Sequence, residues 1–554
     1  MHDFEKAIAD RAFRWVMCAM EPLTTDELLP AICQDENSDN LVPLDGLDED
    51  LVLEYCHNLL VVDPIRKVWV PSHLSVIEYF ENHLWSQSQA NGMVASVCLI
   101  LLKNTVLYDR EKRWGKVRRQ GYSTSKEEID QNDPLSAQEF RSIIMYARDH
   151  WMTHSERSAE MNPKDRLCTL LEEFLGLPRD SSSAYRYWVR MVGGHIFFRY
   201  FYASELLPPS LASFAYCAFG LSSVLPAWHD FNWVKYDDIA KMGCSYLELA
   251  AISGSVRTCR DLIKYGAKVN VQTRSIYGSA LAAAAYGEEK EIIKLLIEKG
   301  ADVNMQLSGD YGSALAVAAY MGQKEITELL IEKGVDVNMQ LFRYYGSALA
   351  VAACKGQKEI TELLIEKGAD VNMQLSGYYG SALAAAAYMG QKEITELLIE
   401  KGADVNMQLS GNYGSALAAA AAAYRRRKKM VELLIEKGAD ANMQLSGNYG
   451  SALARAAYMG GKEITELLIE KGADVNMQLF GNYGSALAAA AYMGRKEIIE
   501  LLIEKGADVN MQLQHGNYKS ALDAAEKEGT DEIVEMLIRH GAKRAELENA
   551  IVEE

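Results

Sequence analysis

The sequence predicts a mostly α-helical chain in which a solenoid of repeated helix pairs follows a winged-helix domain and a helical adaptor. A variant of Leu-Ile-Glu-Lys-Gly-Ala-Asp-Val-Asn occurs nine times between Gly266 and Gly541. Its glycines recur at intervals of 34 residues, as at Gly300, Gly334, Gly368 and Gly402. No such repeat is visible in residues 1–95, where the periodicity changes. A fixed period of this length indicates stacked supersecondary units.

Residues 1–95 carry the pattern of a small separate domain. Three helices are predicted first, at Ala7–Met20, after the capping box Thr24-Thr25-Asp26-Glu27, and at Asp48–Leu59. Two short strands at 60–63 and 67–70 flank a Pro-Ile-Arg turn, and a helix follows from Ser72 to Trp85. Three helices, a two-stranded wing and a helix are typical of a winged helix.

Residues 96–205 are predicted to form a helical adaptor whose aromatic residues pack between the two modules, with a polar linker near 103–136. Residues 206–243 are interpreted as a degenerate capping repeat, because Gly220 lies 34 residues before Gly254. The uncharged stretch 206–228 is also long enough to span a bilayer. Its three prolines and the glycine spacing favour a buried repeat.

Residues 244–541 are predicted to form about nine repeats, each with two short helices. In the unit that ends at Gly334, alanines fill the first helix, and Ile326, Leu329 and Leu330 form one apolar stripe on the second. Gly334 supplies the left-handed residue that ends the helix. The segment 301–311 is rich in turn formers and is expected to project as a hairpin. Residues 542–554 form a charged tail.

Helix, turn, helix and hairpin in this order resemble the ankyrin repeat over the last 300 or more residues. The family's Thr-Pro-Leu-His opening is replaced by Ser313-Ala-Leu-Ala316 and its counterparts. Serine can still cap the first helix. Because the family's buried histidine bonds are absent, we expect single repeats to be less rigid than the family norm.

The sixth repeat departs from the pattern, because its helices and turn span two residues more than those of its neighbours. Its turn carries the basic run Arg425–Lys429, which suits a nuclear-import or nucleic-acid patch as well as a solvated turn. The insertion is also expected to bend the solenoid locally.

The helices are nearly copied from repeat to repeat, whereas the hairpin tips differ. In the ankyrin architecture the hairpins and the exposed side of the first helix line a concave surface, where we expect a protein ligand to bind. The candidate contacts are Asp310, Phe342, Arg343, Tyr344, Tyr378, Asn412, Arg455 and Phe480. Neutral drift at exposed positions is the alternative. The recurring tyrosines, such as Tyr311 and Tyr345, are predicted to pack within the hairpins.

A second resemblance concerns the N-terminal half. Arg14-Trp15-Val16, Glu21-Pro22-Leu23-Thr24, Leu59–Asp63 and Val70–Phe80 resemble the winged helix that follows the NACHT nucleotidase in fungal NLR-like proteins, often labelled a GPI inositol-deacylase winged helix. Tyr146, Trp151 and His154 resemble the stretch that joins it to ankyrin repeats in that family. The resemblance implies immune-like recognition in a fungus.

Neither resemblance brings a recognisable catalytic motif. No Gly-x-x-x-x-Gly-Lys-Ser/Thr is present, and Gly121-Tyr-Ser-Thr-Ser125 lacks the final glycine of a lipase elbow. The excess of acidic residues before residue 60 and the net charge of −19 argue against nucleic acid. His150 and His154 lack a third metal ligand, so a structural pair is favoured. No enzyme, metal or cofactor is therefore expected.

We therefore expect a non-enzymatic protein-interaction module, either an NLR-like recognition protein or a shortened form of one. A generic ankyrin adaptor and a fragment of a larger NTPase receptor that begins upstream of Met1 are the alternatives. The nine scattered cysteines and the charged N-terminus indicate a cytoplasmic protein. Nuclear import through Arg425–Lys429 is the alternative localisation. No membrane partner is expected, and nothing in the sequence specifies the oligomeric state.

Overall fold

The computed structural model describes residues 3–43, 46–116, 140–158, 165–192, 197–198, 201–202, 211–225, 228, 234, 243–342, 344–410, 412–423 and 428–544. The chain is mostly helical and divides into two compact units, residues 1–271 and 272–554. Each unit is described separately below.

The first unit begins with helices α1 (Asp3–Cys18), α2 (Thr25–Cys33) and α3 (Glu49–Tyr55), strands β1 (Leu60–Val62) and β2 (Trp69–Pro71), and helix α4 (Leu74–His83). The strands pair antiparallel, with Val61 opposite Val70. At the start of α2, the Glu27 carboxylate accepts a hydrogen bond from the Thr24 backbone N–H at 2.8 Å. Buried Trp69 donates its indole N–H to the Thr25 hydroxyl at 3.2 Å, which fixes the hairpin on α2.

Helices α5 (Gln87–Lys116), α6 (Arg141–Arg157), α7 (Arg166–Leu175) and α8 (Ser183–Val192) follow, with short antiparallel strands β3 (Gly176–Leu177) and β4 (Asp180–Ser181), and then β5 (Phe197–Phe198) and β6 (Phe201–Tyr202). Trp151 on α6 packs edge-on against Phe174 and Trp188, with ring centroids 5.2 and 5.3 Å apart. These rings form the core of the adaptor segment.

Helix α5 extends through residues 103–116, which the sequence analysis placed in a polar linker. Charged residues are good helix formers, and no glycine or proline interrupts the chain between residues 93 and 114. Polarity alone therefore does not end the helix. The rest of the expected linker, 117–136, lies outside the described residues.

The end of the first unit contains helix α9 (Ala212–Ala218), a 3-10 turn (Leu221–Ser223), and the helix pair α10 (Tyr246–Ile252) and α11 (Val256–Lys264). The Phe214 and Tyr246 rings stack with centroids 4.3 Å apart, and the Ser253 hydroxyl donates to the Cys217 carbonyl at 3.0 Å. The described part of 206–228 thus packs on the first helix pair. Within the described residues, no helix combines the length and apolar character that a bilayer crossing requires.

The second unit stacks helix pairs that we number as repeats 2 to 9, counting α10–α11 as repeat 1. First helices span Ala280–Tyr286, Ala314–Met321, Ala348–Lys355, Ala382–Met389, Ala416–Ala422, Ala452–Met459, Ala486–Tyr492 and Ala521–Lys527. Second helices span Lys290–Glu298, Lys324–Glu332, Lys358–Glu366, Lys392–Glu400, Lys428–Glu436, Lys462–Glu470, Lys496–Glu504 and Asp531–Arg539. The alanines of the first helices are almost all fully buried, so neighbouring helices approach closely.

Local sequence sets the ends of each helix pair. The Ser313 hydroxyl accepts from the Ala316 N–H at 3.1 Å at the start of the first helix of repeat 3, and Gly322 ends that helix with φ 78°. The hairpin before it closes where the Leu307 N–H donates to the Gly312 carbonyl at 2.8 Å. The same bonds recur in the following repeats, as at Leu341 and Gly346.

Two columns of side-chain amides join each repeat to the next. The Asn372 amide donates to the Gly402 carbonyl at 2.8 Å and accepts from the Asp404 N–H at 2.7 Å. Gln374 donates to the Gln408 carbonyl at 3.0 Å. Equivalent asparagines bond from Asn304 to Asn510, and equivalent glutamines from Gln272 to Gln478. These bonds connect repeats that lack the family's histidine.

The inserted sixth repeat lies beside a cleft of about 620 Å³, whose lining includes Ala423, Met459, Gly461 and Ile498. In repeats 3, 4 and 5 a glutamine stands at the position of Gly461, and in repeat 3 the Gln323 amide donates to the Tyr286 carbonyl of the preceding repeat at 3.3 Å. Gly461 has no side-chain amide, so repeat 7 lacks the equivalent of this bond. Of the basic run, Arg425 to Arg427 lie outside the described residues. Lys428 and Lys429 are the first two residues of the second helix of repeat 6.

His150 and His154, for which no metal is expected, make different contacts in the first unit. The His154 ring is buried, with Nε2 2.8 Å from the Tyr146 hydroxyl and Nδ1 2.7 Å from the Asn91 amide oxygen. Burial lowers the pKa of His154 to about 3, so the ring is neutral. His150 instead lies 3.6 Å from the Glu21 carboxylate. Among the residues that the structure describes, no cluster of three or more His, Cys, Asp or Glu is placed to hold a metal.

Replacing Asn372 with alanine removes two inter-repeat hydrogen bonds, and we expect the free energy of unfolding to fall by about 1–2 kcal/mol. Urea denaturation followed by far-ultraviolet circular dichroism measures the change. Asn412→Ala, at an exposed hairpin tip, is the control and should alter it by less than about 0.5 kcal/mol. Equal losses in the two variants would show that the amide columns contribute little.

Gly461→Gln should stabilise the second unit by about 0.5–1 kcal/mol, because it restricts the unfolded chain and supplies the missing amide. Gly461 has φ −81°, and an added Cβ would meet no atom closer than 3.7 Å. The matched control is Gly472→Gln, where φ is 91° and a side chain should cost about 1 kcal/mol or more. A thermal midpoint for Gly461→Gln at or below that of the wild type would contradict this account.

The buried neutral His154 makes the first unit sensitive to acid. The unfolded chain takes up a proton near the ordinary pKa of 6.5, whereas the folded chain does so only near 3. Stability is therefore complete above pH 6.5 and falls below it, by up to about 1.4 kcal/mol for each pH unit. Urea unfolding at pH 7.5 and 5, followed by tryptophan fluorescence, tests this, because all eight tryptophans precede residue 234. His154→Gln should show a weaker pH dependence, and an equal one would refute the assignment.

Candidate functional site

The residue at the hairpin tip changes along the array, from isoleucine and aspartate through two tyrosines to four asparagines, although the helices are nearly identical. We call these residues the tip row: Ile276, Asp310, Tyr344, Tyr378, Asn412, Asn448, Asn482 and Asn517. Backbone hydrogen bonds link several neighbouring members: the Tyr378 N–H donates to the Tyr344 carbonyl at 3.0 Å and the Asn482 N–H to the Asn448 carbonyl at 2.8 Å. The row is thus an ordered edge whose side chains change from acidic and aromatic to amide along the array.

Behind the tip row runs a second line of aromatic residues, which we call the tyrosine ladder. It comprises the hairpin residues Tyr277, Tyr311, Tyr345, Tyr379, Tyr413, Tyr449, Tyr483 and Tyr518, and the helix residues Tyr286, Tyr320, Tyr388, Tyr458 and Tyr492. Successive rings approach closely, with centroids 4.8 Å apart for Tyr311 and Tyr320 and 5.0 Å for Tyr388 and Tyr413. Burial raises the pKa of Tyr379 above its ordinary range, so the phenol is neutral. The predicted packing role of these tyrosines is confirmed.

In the second unit the first helices of repeats 4, 6 and 9 lack the ladder tyrosine, and a basic side chain lies on the ladder near each of these positions. Repeat 4 has Cys354 at this position, and the Lys355 ammonium beside it lies 3.9 Å from the Tyr320 ring centroid. Repeat 6 has Ala422, and Arg455 of the next repeat lies 4.0 Å from the Tyr449 centroid and 5.2 Å from that of Tyr413. Arg455, a predicted contact residue, is therefore half-buried between two rings.

The other predicted contacts fall into two groups at the tips. Phe342 is 81% exposed and Tyr344 54% exposed, and the Tyr344 ring stacks on Tyr378 with centroids 5.2 Å apart. Phe480 is 66% exposed and lies 4.6 Å from the His515 ring. Asp310 and Asn412 are exposed members of the row, and Arg343 lies outside the described residues. Their role in binding stays a prediction.

A cleft of about 440 Å³ separates the tips of repeats 3 and 4. It is lined by Asp310, Tyr311, Tyr320, Tyr344 and Tyr345, which are four phenol rings and one carboxylate. Sequence reasoning had selected only Asp310 and Tyr344 among them, because the three ladder tyrosines recur in the array and gave no signal of difference. The replacement of the Tyr-Met of repeats 3, 5, 7 and 8 by Cys354-Lys355 is the sequence signal that marks repeat 4 as different at this cleft.

Comparison with known proteins identifies the repeats. The crystal structure of the human ASB11 ankyrin repeat domain is similar at 25% sequence identity, with coverage of 42% of this chain and 99% of that chain and a TM-score of 0.34. The search of curated proteins gave no match. The family model for ankyrin repeats (3 copies) matches residues 247–341, 342–409, 386–479, 418–513 and 453–548. These matches span more than half of the 554 residues, and the chain therefore belongs to the ankyrin repeat family.

Proposed function

We propose that the chain is a non-enzymatic recognition module that binds a protein ligand along the tip row on the concave side of its repeats. Ankyrin repeats are typically protein-interaction modules. The observation that carries the proposal is the contrast between the helices, which are nearly identical in all repeats, and the hairpin tips, whose residues change along the array from aspartate and tyrosine to asparagine. Packing explains why the buried helix positions repeat, whereas it places no such demand on an exposed tip.

The exposed aromatic residues support this surface. Phe342 and Tyr344 present large apolar area on a hairpin that is joined to the following one, where the Tyr378 N–H donates to the Tyr344 carbonyl. Aromatic side chains on ordered backbone are the usual anchors of protein interfaces, because they bury much area at a small entropic cost. Phe480 with His515 offers a second anchor four repeats further along.

For the N-terminal segment, we propose a winged helix of the NLR-like type. Helices α1 to α3, the β1–β2 hairpin and α4 follow each other in the order of that fold. Trp15, within one of the stretches that resemble the family, and Trp69, next to another, are buried in the core of this segment. The recognition role would then be immune-like. All nine cysteines are free thiols, which supports a reducing, intracellular location for the protein.

Photo-crosslinking tests the proposed surface. A photoreactive residue at the position of Phe342 should cross-link a protein in cell extract, whereas one at the exposed Lys392, on the second helix of repeat 5, should not. The protein identified in this way should bind the triple variant F342S, R343G and Y344N at least about tenfold more weakly, because an aromatic anchor is typically worth 2 kcal/mol or more. Circular dichroism should show an unchanged thermal midpoint. Equal cross-linking from both positions would place the binding surface elsewhere.

A further inference from the structure

We propose that the cleft beside the turn of repeat 6 binds a glutamate side chain of a protein partner. This cleft of about 620 Å³, which we call the turn cleft, is lined by residues of repeats 6, 7 and 8. It lies where the two helices of a repeat are joined, whereas the tip row lies on the hairpins that precede the first helices. The inference therefore goes beyond the proposed function and does not depend on it.

The turn cleft exists because one side chain is missing. In repeat 4 the glutamine before the second helix covers the turn of the preceding repeat, since a Cβ on Gly322 would lie 2.7 Å from the Gln357 amide nitrogen. Gln391 covers Gly356 in the same way, with its amide oxygen 2.9 Å from such a Cβ. Gly461 stands at this position in repeat 7 and lines the cleft. The open space is therefore one that a side chain of glutamine length fills elsewhere in the array.

Two further departures from the array add positive charge at this place. Arg495 of repeat 8 replaces the glutamine of repeats 3 to 5, and its Nε donates to the Tyr458 carbonyl at 3.2 Å. A Cβ on Gly460 would lie 3.4 Å from the Arg495 Cζ, so the guanidinium lies on the turn of repeat 7. Lys429, next to Lys428 of the cleft lining, replaces the glutamate of every other repeat in the second unit. Each change puts a basic residue where the array has a neutral or an acidic one.

Most of the basic groups at the cleft have no carboxylate partner in the chain. The ionic side chains of the lining are Lys428, Lys462, Glu463, Arg495, Lys496 and Glu497. Lys496 is paired with the Glu532 carboxylate at 2.8 Å. Lys428, Lys462 and Arg495 form no ion pair with any residue that the structure describes. The unpaired charge of the lining is therefore positive even with its two glutamates included, and this favours an acidic occupant.

Glutamate fits both the space and the charge. It has the length of the glutamine that is missing at position 461, and a carboxylate accepts two hydrogen bonds at once from a guanidinium such as that of Arg495. Half-buried Met459 and buried Ile498 line the cleft and would contact the methylene groups. The net charge of −19 does not prevent such binding, because charges more than about 10 Å away are largely screened at physiological salt.

A pair of probes that differ only in charge tests the inference on the full chain. N-acetyl-glutamate methylamide carries the carboxylate, and N-acetyl-glutamine methylamide is its neutral analogue of the same size. Titrations at pH 7 are followed by NMR of ¹³C-methyl-labelled methionine, in which the Met459 resonance is assigned with Met459→Leu. We expect the glutamate probe to shift this resonance with a Kd at least about fivefold lower than that of the glutamine probe. Equal affinities, or tighter binding of the glutamine probe, would overturn the inference.

A variant that stabilises the fold while it closes the cleft separates binding from folding. Gly461→Gln should weaken binding of the glutamate probe at least about fivefold, because the new side chain fills the space, although its thermal midpoint should rise. Gly461→Ala is the matched control, since its Cβ meets no atom closer than 3.7 Å and leaves most of the space open. It should bind within about twofold of the wild type. Wild-type affinity in Gly461→Gln would show that the probe binds elsewhere.

A second pair of variants tests the charge. Arg495→Gln restores the residue of repeats 3 to 5 and should weaken binding of the glutamate probe at least about threefold. Lys324→Gln removes an exposed lysine at the first position of the second helix of repeat 3, outside the cleft, and should stay within about twofold of the wild type. If the two variants lose affinity equally, the probe responds to the overall charge of the surface and the inference is wrong.

Discussion

Close stacking of the first helices is the constraint on which the second unit depends. The buried stripe of a single repeat has no partner within that repeat, so each helix pair is stable only against its neighbours. Alanine at positions such as Ala316 and Ala318, both fully buried, lets the helices approach, and any larger side chain there would push two repeats apart. Almost all freedom to vary is therefore left to the hairpins.

Two exceptions show how strict this constraint is. In repeat 7, Arg455 replaces an alanine or valine of the first helix, and its guanidinium packs between Tyr413 and Tyr449. This is possible because the sixth repeat has Ala422 where repeats 2, 3, 5, 7 and 8 have a tyrosine, which leaves room on the ladder. In repeat 4, Cys354-Lys355 replaces Tyr-Met, and the Lys355 ammonium lies over the Tyr320 ring of the preceding repeat. A substitution in one repeat is thus accommodated by its neighbour.

Much of this architecture could be predicted from sequence because it depends on local signals. The serine caps, the left-handed glycines and the apolar stripe each involve residues within a few positions of one another, and the structure contains them as predicted. The contacts of Lys355 and Arg455 with tyrosine rings could not be predicted from local sequence. Tyr320 lies 35 residues before Lys355, whereas Tyr413 and Tyr449 lie 42 and six residues before Arg455, so each ring belongs to a neighbouring repeat or hairpin. The cleft at Asp310 could not be predicted for the same reason, because the residues that line it come from two repeats. The extension of α5 past residue 103 does not follow from composition, because lysine, arginine and glutamate are as compatible with a helix as with a linker.

The amide columns also affect how the array can change in length. The side-chain amide of each asparagine donates to a backbone carbonyl about one repeat later in the chain. That acceptor is the carbonyl of the glycine that ends the second helix, and every repeat has this glycine. Asn406 still reaches the Gly438 carbonyl at 2.9 Å although the sixth repeat is two residues longer. A gene that gained or lost one whole unit by unequal recombination would therefore encode a chain whose remaining units re-form the same bonds. What such an event would alter is the order of side chains along the tips, so new combinations of recognition residues can arise without a new fold.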